Sequence, residues 1–406
     1  MTRSAGISHI VFMRLMPPVV IWGGLEKLML EWFERLDFTR CRATLIVSTG
    51  GGDIYCQYIA AKKLPIDVVE FPFRKDFRYV DSFISRFMKT RALLKNLKPD
   101  QVVFFQGSFV DFDLSHVLAA HWTAKGQVYM HENLGAREPS VKSSKKYLGF
   151  IPGAGLWWYA ERYFMPWRAY FCKKIYVVSS EIKDRMVNLW HYPADKLEVL
   201  YHGVDIKKFH PSGEVRERLR KSMGLPDSAI VIILAARLSQ EKCIDRAIDA
   251  FDTLIPKYPD MRLIIAGTGP YEERLKALAQ TKSSKDKMQF LGHVSNVDEL
   301  YQMSNIYVLS SDNEGLSLAF LEALASGLVC VTTKCTGTTE VIQDGFNGFL
   351  VEKSAQGVLD GLQKVLALSV KQREEIARNS VTFVHERFEI NRNVNQALTL
   401  LNMPRR

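Results

Sequence analysis

Six cysteines in 406 residues (Cys41, Cys56, Cys172, Cys243, Cys330 and Cys335) form no CxxC pair and no metal-ligand spacing. Their scarcity and scatter exclude a disulfide-stapled scaffold or a thiolate zinc module, and they read as reduced thiols of a cytosolic protein. The nine histidines contain no H-x-x-x-H or HExxH pairing, so no metal site is expected. Uninterrupted apolar runs of membrane-span length are missing too. The best stretch, residues 10–32, is broken by Arg14, Pro17-Pro18, Gly23-Gly24 and Glu26-Lys27. The N-terminus lacks the charged, apolar and small-residue order of a signal peptide, so no leader is expected. There is no N-x-S/T sequon, no low-complexity tract and no short repeat.

What is present is the mixture of a folded chain, 47% hydrophobic and 24% charged, long enough for two or three domains. The net charge of +10 is uneven: residues 1–200 carry 28 Lys+Arg against 19 Asp+Glu, and residues 201–406 carry 26 against 25. A basic first half beside a near-neutral second half fits one domain facing something anionic, or chance variation of surface charge. A recognisable nucleic-acid reader module is missing, so the high isoelectric point does not indicate DNA or RNA binding.

Short β-branched or aromatic runs alternate with helical patterns from end to end. In the first half, strands are expected at 9–15, 43–48, 68–71, 101–105, 127–130, 174–178 and 197–201; in the second, at 230–235, 262–266, 288–291, 306–309 and 328–332. Such alternation predicts α/β architecture with mostly parallel sheets covered by helices. Punctuation at His202-Gly-Val-Asp205 and Pro211 divides the chain into two Rossmann-like domains of similar size. The expected boundaries are 1–205, 206–388, and a C-terminal helix at 389–406 crossing back to the first domain.

Two segments carry candidate chemistry. Glu314-Gly-Leu-Ser-Leu-Ala-Phe-Leu-Glu322 follows the strand at 306–309 and spaces two carboxylates eight positions apart. Ser317 reads as a helix N-cap and Gly327 as the stop. At helical rise the two carboxylates would lie about 12 Å apart, the span from a sugar across a diphosphate to a ribose. The amides of residues 316–319 would face an anion between them. Glu322, flanked by apolar residues, either faces solvent or needs a buried partner such as ribose hydroxyls. The second segment is Arg237-Leu-Ser-Gln-Glu-Lys242, whose cations follow the strand at 231–236 and precede a helix. Cations there suit a pyrophosphate in the crevice of an open α/β sheet, or are two surface charges on a loop. Gly267-Thr-Gly-Pro270 lacks the third glycine of a dinucleotide fingerprint and reads as a turn.

At these residues the sequence resembles family 4 of the retaining glycosyltransferases, which have the GT-B fold, two Rossmann-like domains facing each other across a cleft. The resemblance is carried by motifs in order: His202-Gly-Val-Asp205 with Phe209 and Pro211, Ala236 to Lys242, Ile265-Ala-Gly-Thr-Gly-Pro270, and Phe290-Leu-Gly-His-Val294. Ser311-Asp-Asn-Glu314-Gly, Glu322-Ala-Leu-Ala-Ser-Gly327 and Glu340-Val-Ile-Gln-Asp-Gly-Phe-Asn-Gly348 complete it. In the first domain, Gly23-Gly24 looks like the family's glycine loop and His131 like the histidine that contacts the transferred sugar.

The resemblance implies a retaining, metal-independent transferase moving a hexose-type sugar from a nucleotide-sugar donor to a glycan or lipid-linked acceptor. Glu314, His131, Arg237 and Lys242 would be the catalytic residues. Gly24, Arg237, Lys242, His293, Val294, Glu314, Leu316, Ser317, Leu318 and Glu322 would bind the donor. Arg237 and Lys242 would neutralise the diphosphate, Glu314 would hold the sugar, Glu322 the ribose, and His293-Val294 would lie by the base. No cofactor and no metal is implied, since the nucleotide sugar is a substrate. Two departures touch the donor-sugar pocket: the usual E-G-F-G-L reads Glu314-Gly-Leu-Ser-Leu, and the usual Gly-Gly reads Thr336-Gly-Thr-Thr-Glu340. The alternative is a catalytically silent GT-B protein that binds a nucleotide sugar as a sensor or assembly partner.

Residues 142–174 hold the densest mixture of aromatics and cations, including Lys142, Lys145, Lys146, Trp157, Trp158, Lys173 and Lys174. It suits peripheral contact with an anionic membrane on the cytosolic face, or a core helix with a basic flank.

Overall fold

The structure is a computed structural model and describes residues 7–15, 24–72, 83–106, 114–132, 146–147, 151–152, 166–226 and 228–405. The chain divides into two compact units, Met1–Tyr201 with Val394–Arg406, and His202–Asn393. The first is built on β1 (Ser8–Arg14), β2 (Cys41–Ser48), β3 (Ile66–Phe71), β4 (Gln101–Gln106) and β5 (Val128–Glu132). A short antiparallel pair follows, β6 (Lys146–Tyr147) and β7 (Ile151–Pro152), and then β8 (Lys174–Val177) and β9 (Leu197–Val199). Its parallel sheet has the order β3-β2-β1-β4-β5-β8-β9.

The second unit repeats the plan. Its strands are β10 (Val231–Ala235), β11 (Arg262–Ala266), β12 (Met288–Gly292), β13 (Ile306–Leu309), β14 (Val329–Thr333) and β15 (Phe349–Val351). They pair in parallel as β12-β11-β10-β13-β14-β15. β10 and β13 are buried along their whole length, as a sheet covered on both faces requires. The cover is amphipathic: the helix Ile244–Leu254 buries Ile244, Ala247, Ile248, Phe251 and Leu254 on one stripe. In each sheet the first strand sits centrally, between β2 and β4 in one unit and between β11 and β13 in the other. The order reverses there, and the carboxyl ends of β1 with β4, and of β10 with β13, frame the crevices where such sheets bind ligands.

The expected alternation and parallel sheets are present, with shifted strand ends, among them β2 and β3 starting two residues early, and with strands not expected, the short β6–β7 pair and β15. β5 runs two residues beyond the expected 127–130, because Phe105 and Gln106 of β4 keep pairing with His131 and Glu132. β15 was not anticipated; three residues (Phe349–Val351) are too few to show a period, and only pairing with Val331–Thr333 defines it.

The His202-Gly-Val-Asp205 motif is explained by close backbone approach. Val204 donates to Phe388 O at 2.7 Å and accepts from Ile390 N at 3.0 Å. A Cβ on Gly203 would lie 2.5 Å from Ile390 Cα, so only glycine fits. Asp205 then turns the chain, its carboxylate accepting from Lys207 N at 3.0 Å.

The turn after β11 is built in the same way. Gly267 has φ +134°, and a Cβ there would lie 1.9 Å from Ala236 O. Leu238 N donates to Thr268 O at 2.9 Å and Gly267 N to Gly292 O at 2.7 Å, so the loops after β10 and β11 and the end of β12 form one backbone-bonded layer. Gly267→Ala is therefore expected to destabilise this unit by roughly 1–3 kcal/mol from backbone strain, plus the clash. Urea unfolding checks it; an unchanged midpoint would refute this turn geometry.

Candidate active site

The loop leaving β10 carries the two predicted cations in different settings. Arg237 reaches into solvent, its side chain 70% exposed, and pairs with Glu241 at 2.9 Å. Ser239 Oγ donates to the same Glu241 oxygen at 2.6 Å. Burial works to raise the Glu241 carboxyl, but hydrogen bonds from Ser239 and Arg237 outweigh it, and the group titrates below the ordinary range. Lys242 is the opposite case. Its Nζ donates to Glu314 Oε1 at 2.5 Å, and Ser311 Oγ donates to that oxygen at 2.6 Å. Both members of the ion pair are largely buried, at 18% and 8% side-chain exposure.

The loop leaving β13 is fastened to its neighbours. Ser310 Oγ donates to Lys242 O at 2.9 Å, Asp312 N to Glu241 O at 2.9 Å, and Arg246 pairs with Asp312 at 2.7 Å. From the β14 side, Thr333 Oγ1 and Cys335 Sγ donate to Ser311 O at 2.6 and 2.9 Å. Gly337, with φ +85°, passes so close that a Cβ would lie 2.0 Å from Gly315 O. Glu314 is therefore held from both sides of β13.

Ser317 caps the helix Leu318–Ala325, accepting from Phe320 N at 3.4 Å, and Gly327 stops it with φ +77°. The helical rise behind the expected ~12 Å covers only part of the interval between the carboxylates. Glu314 to Ser317 are not helical, so helical rise applies only from Leu318 onward. Leu316 is buried, while Ser317, Leu318 and Ala319 are half-exposed at the helix mouth, where first-turn amides lack intrahelical acceptors. Glu322 is buried. Both carboxylates act on the fully buried Tyr307 of β13. Burial, then the charges of Glu314, Cys330 and Glu322, pushes its phenol well above the ordinary range, with Ser317 bonded to it. Tyr301 is fully buried beside Glu322 as well.

The structure thus gathers Arg237, Lys242, Glu314, Leu316, Ser317 and Leu318 just beyond the carboxyl ends of β10 and β13, while Glu322 is buried within the helix that follows β13. His293 is exposed and Val294 half-buried just past β12, two strands from β10. Gly24 and His131 belong to the first unit. Gly24 opens the helix Gly24–Arg35; Gly23, Lys142, Lys145, Trp157 and Trp158 lie outside the described residues. His131 is not beyond the strand end but inside β5, fully buried, with ring centroids 5.6 Å from Phe105 and 5.9 Å from Trp32. The described residues hold no cluster of three or more His, Cys, Asp or Glu able to bind a metal. Reading the sequence missed Glu241, Ser311 and Tyr307. A tyrosine inside the otherwise aliphatic Ile306–Leu309 run was the available signal.

The chain matches "Glycosyltransferase Family 4" over residues 22–208 and "Glycosyl transferases group 1" over residues 215–382. It belongs to glycosyltransferase family 4. An uncharacterised glycosyltransferase of Methanocaldococcus jannaschii is 28% identical over 220 residues, 53% of this chain and 56% of the relative. A GDP-mannose-dependent alpha-(1-6)-phosphatidylinositol monomannoside mannosyltransferase of Mycobacterium tuberculosis is 31% identical over 200 residues, 47% of this chain and 51% of the relative. The chain spans about half the length of the curated relatives it matches. Among solved structures, Anabaena HepE in complex with UDP and glucose superimposes with TM-score 0.73, covering 97% of this chain and 99% of that one at 18% identity. The fold class of this glycosyltransferase family member is GT-B.

The family's His202 reaches the site through the backbone. It is fully buried and titrates at about 4, lowered by burial and partly restored by a backbone hydrogen bond with Leu316. The folded state therefore binds fewer protons than the unfolded chain between pH 6.5 and 4, so stability from this residue is present above 6.5 and lost as pH falls. About 3 kcal/mol is at stake. Urea titrations from pH 7 to 4 should show a shallower fall in His202→Gln than in the native sequence; parallel slopes would contradict the buried neutral ring.

Proposed function

We propose that the protein is a retaining, metal-independent glycosyltransferase that moves a hexose-type sugar from a nucleotide-diphospho-sugar to a glycan or lipid-linked acceptor on the cytosolic side. The observation that carries this reading is the Lys242–Glu314 pair at the β10/β13 switch point, with Arg237 beside it. The donor diphosphate would settle over Lys242, Arg237 and the amides of Ser317 to Ala319. The two cations would offset charge that grows on the leaving phosphate as the glycosidic bond breaks, the task a metal performs elsewhere. Lys242 starts already positioned by Glu314, so little reorganisation is needed when that charge develops. Arg237 starts paired with Glu241 in solvent, and such exposed pairs are weak enough to exchange for a phosphate.

Glu314 would accept hydroxyls of the donor sugar and Glu322 those of the ribose. His293 and Val294 would flank the base. Relatives bear names with more than one donor, UDP with glucose in HepE and GDP-mannose in the mycobacterial enzyme, which supports the donor class rather than one sugar. The acceptor hydroxyl would attack on the face the diphosphate leaves, giving retention. His131 receives no step in this scheme, because its ring is enclosed by Phe105 and Trp32.

The test is release of nucleoside diphosphate from UDP-, GDP- and ADP-hexoses, in excess EDTA. Activity is expected to persist under chelation, and Arg237→Ala and Lys242→Ala are each expected to lower turnover by on the order of 10²-fold. Native rates in both variants, or activity that depends wholly on added Mg²⁺ or Mn²⁺, would overturn the proposal.

A further inference from the structure

Ion pairs four residues apart are ordinary on helices. Among the described residues Glu31–Arg35, Glu181–Arg185 and Glu272–Lys276 lie within the α-helices Gly24–Arg35, Ser180–Trp190 and Glu272–Gln280, whose period alone brings them together. Arg237–Glu241 has the same spacing without such a helix. Arg237 to Ser239 are irregular, and Gln240–Lys242 is a single 3-10 turn. Specific bonds, not helical period, put this carboxylate beside its arginine.

Glu241 is the anchored member of the pair. Ser239 Oγ donates to its Oε1 at 2.6 Å, and its backbone carbonyl accepts from Asp312 N at 2.9 Å, which ties it to the loop after β13. Burial favours the neutral acid, but hydrogen bonds from Ser239, from its own amide and from Arg237 win, so Glu241 is anionic at neutral pH. Arg237 is the member with freedom to move. Its side chain is 70% exposed against 39% for Glu241, and it reaches Oε1 through one nitrogen at 2.9 Å. Lys242, the other cation of this loop, is committed to Glu314 in a buried pair. Only Arg237 can be contested between Glu241 and an arriving anion.

We propose that Glu241 is a tethered counter-anion, which holds Arg237 in the empty crevice, yields it to an incoming diphosphate and takes it back as the nucleoside diphosphate leaves. Glu241 is thus a positioning residue that acts through Arg237, and the inference rests on the reading that a diphosphate binds there. The carboxylate keeps its Ser239 hydrogen bond when the guanidinium departs, so it waits in place as the nearest competitor. Exchanging one exposed charge-assisted bond for another changes little free energy, so Glu241 weakens diphosphate binding without blocking it. That weakening has a use in a reaction whose product keeps the donor's diphosphate. Binding donor and product equally tightly adds nothing to the chemical step, and slow product release limits turnover.

The experiment is calorimetric titration of the full chain with UDP, GDP and inorganic pyrophosphate, joined to stopped-flow displacement of the bound nucleotide. Glu241→Gln keeps an oxygen for Ser239 and Arg237 but removes the charge. It is expected to tighten binding by about two- to fivefold, the worth of an exposed pair, and to slow release correspondingly. The gain should be lost in the Arg237→Ala background, where no cation is left to contest. An equal gain in both backgrounds would mark general charge repulsion and overturn the inference, as would unchanged or weaker binding in Glu241→Gln. A native chain that binds these ligands yet transfers no sugar removes the transferase reading and leaves this inference standing. One that binds none of the three overturns both.

Discussion

A single carboxylate oxygen organises the second unit. Glu314 Oε1 accepts from Lys242 and from Ser311, groups delivered by the loops after β10 and β13, which join strands side by side in the sheet but 72 residues apart at the ion pair. The carboxylate is buried, so it depends on that lysine: removing one partner of a buried pair typically costs about 3–5 kcal/mol. The neighbouring Arg237–Glu241 pair is exposed, and pairs of that kind are worth about 0–1 kcal/mol. An anion arriving at this crevice would meet one cation already fixed and one that leaves its partner at little cost. The difference between the two comes from burial, since both sit in one loop.

The same logic appears at the corresponding place in the first unit. Arg14, the last residue of β1, donates to Glu26 Oε1 at 2.6 and 3.0 Å and to Phe105 O on β4 at 3.3 Å. It ties the central strand to the first turn of the helix that follows, as Lys242 ties the loop after β10 to the loop after β13. A second buried pair, Arg168 with Glu132 at 3.5 Å, sits at the end of β5, and Arg168 also donates to Tyr192 Oη at 2.9 Å. Each of these buried charges sits at or just beyond the carboxyl end of a strand, where backbone carbonyls and hydroxyls are available to share it.

Close approach of backbones explains which glycines the motifs require. The family's paired glycine is reduced here to Thr336-Gly-Thr-Thr, and the glycine retained, Gly337, is the one whose Cβ would strike Gly315 O. Its neighbours need no such freedom, and Thr338 instead bonds Cys335 N through its hydroxyl at 2.9 Å. The departure from the family pattern therefore leaves the seat of Glu314 intact.

Local chemistry sufficed for much of this. Runs such as Val231–Ala235 and Ile306–Leu309 announce buried parallel strands, Ser317 and Gly327 delimit a helix, and motif order identifies the family. The cations and carboxylates of the site were legible because motifs place them at strand ends. Tertiary structure alone decided how they are used: that Lys242 is committed to Glu314 while Arg237 faces water, that both carboxylates act on the buried Tyr307 phenol, and that His131 is enclosed within an extended β5. The physical reason is common to all of these. Hydrophobic period, caps and turns are properties of a few consecutive residues, whereas burial, pairing and electrostatic environment depend on which distant segments the sheet order places side by side.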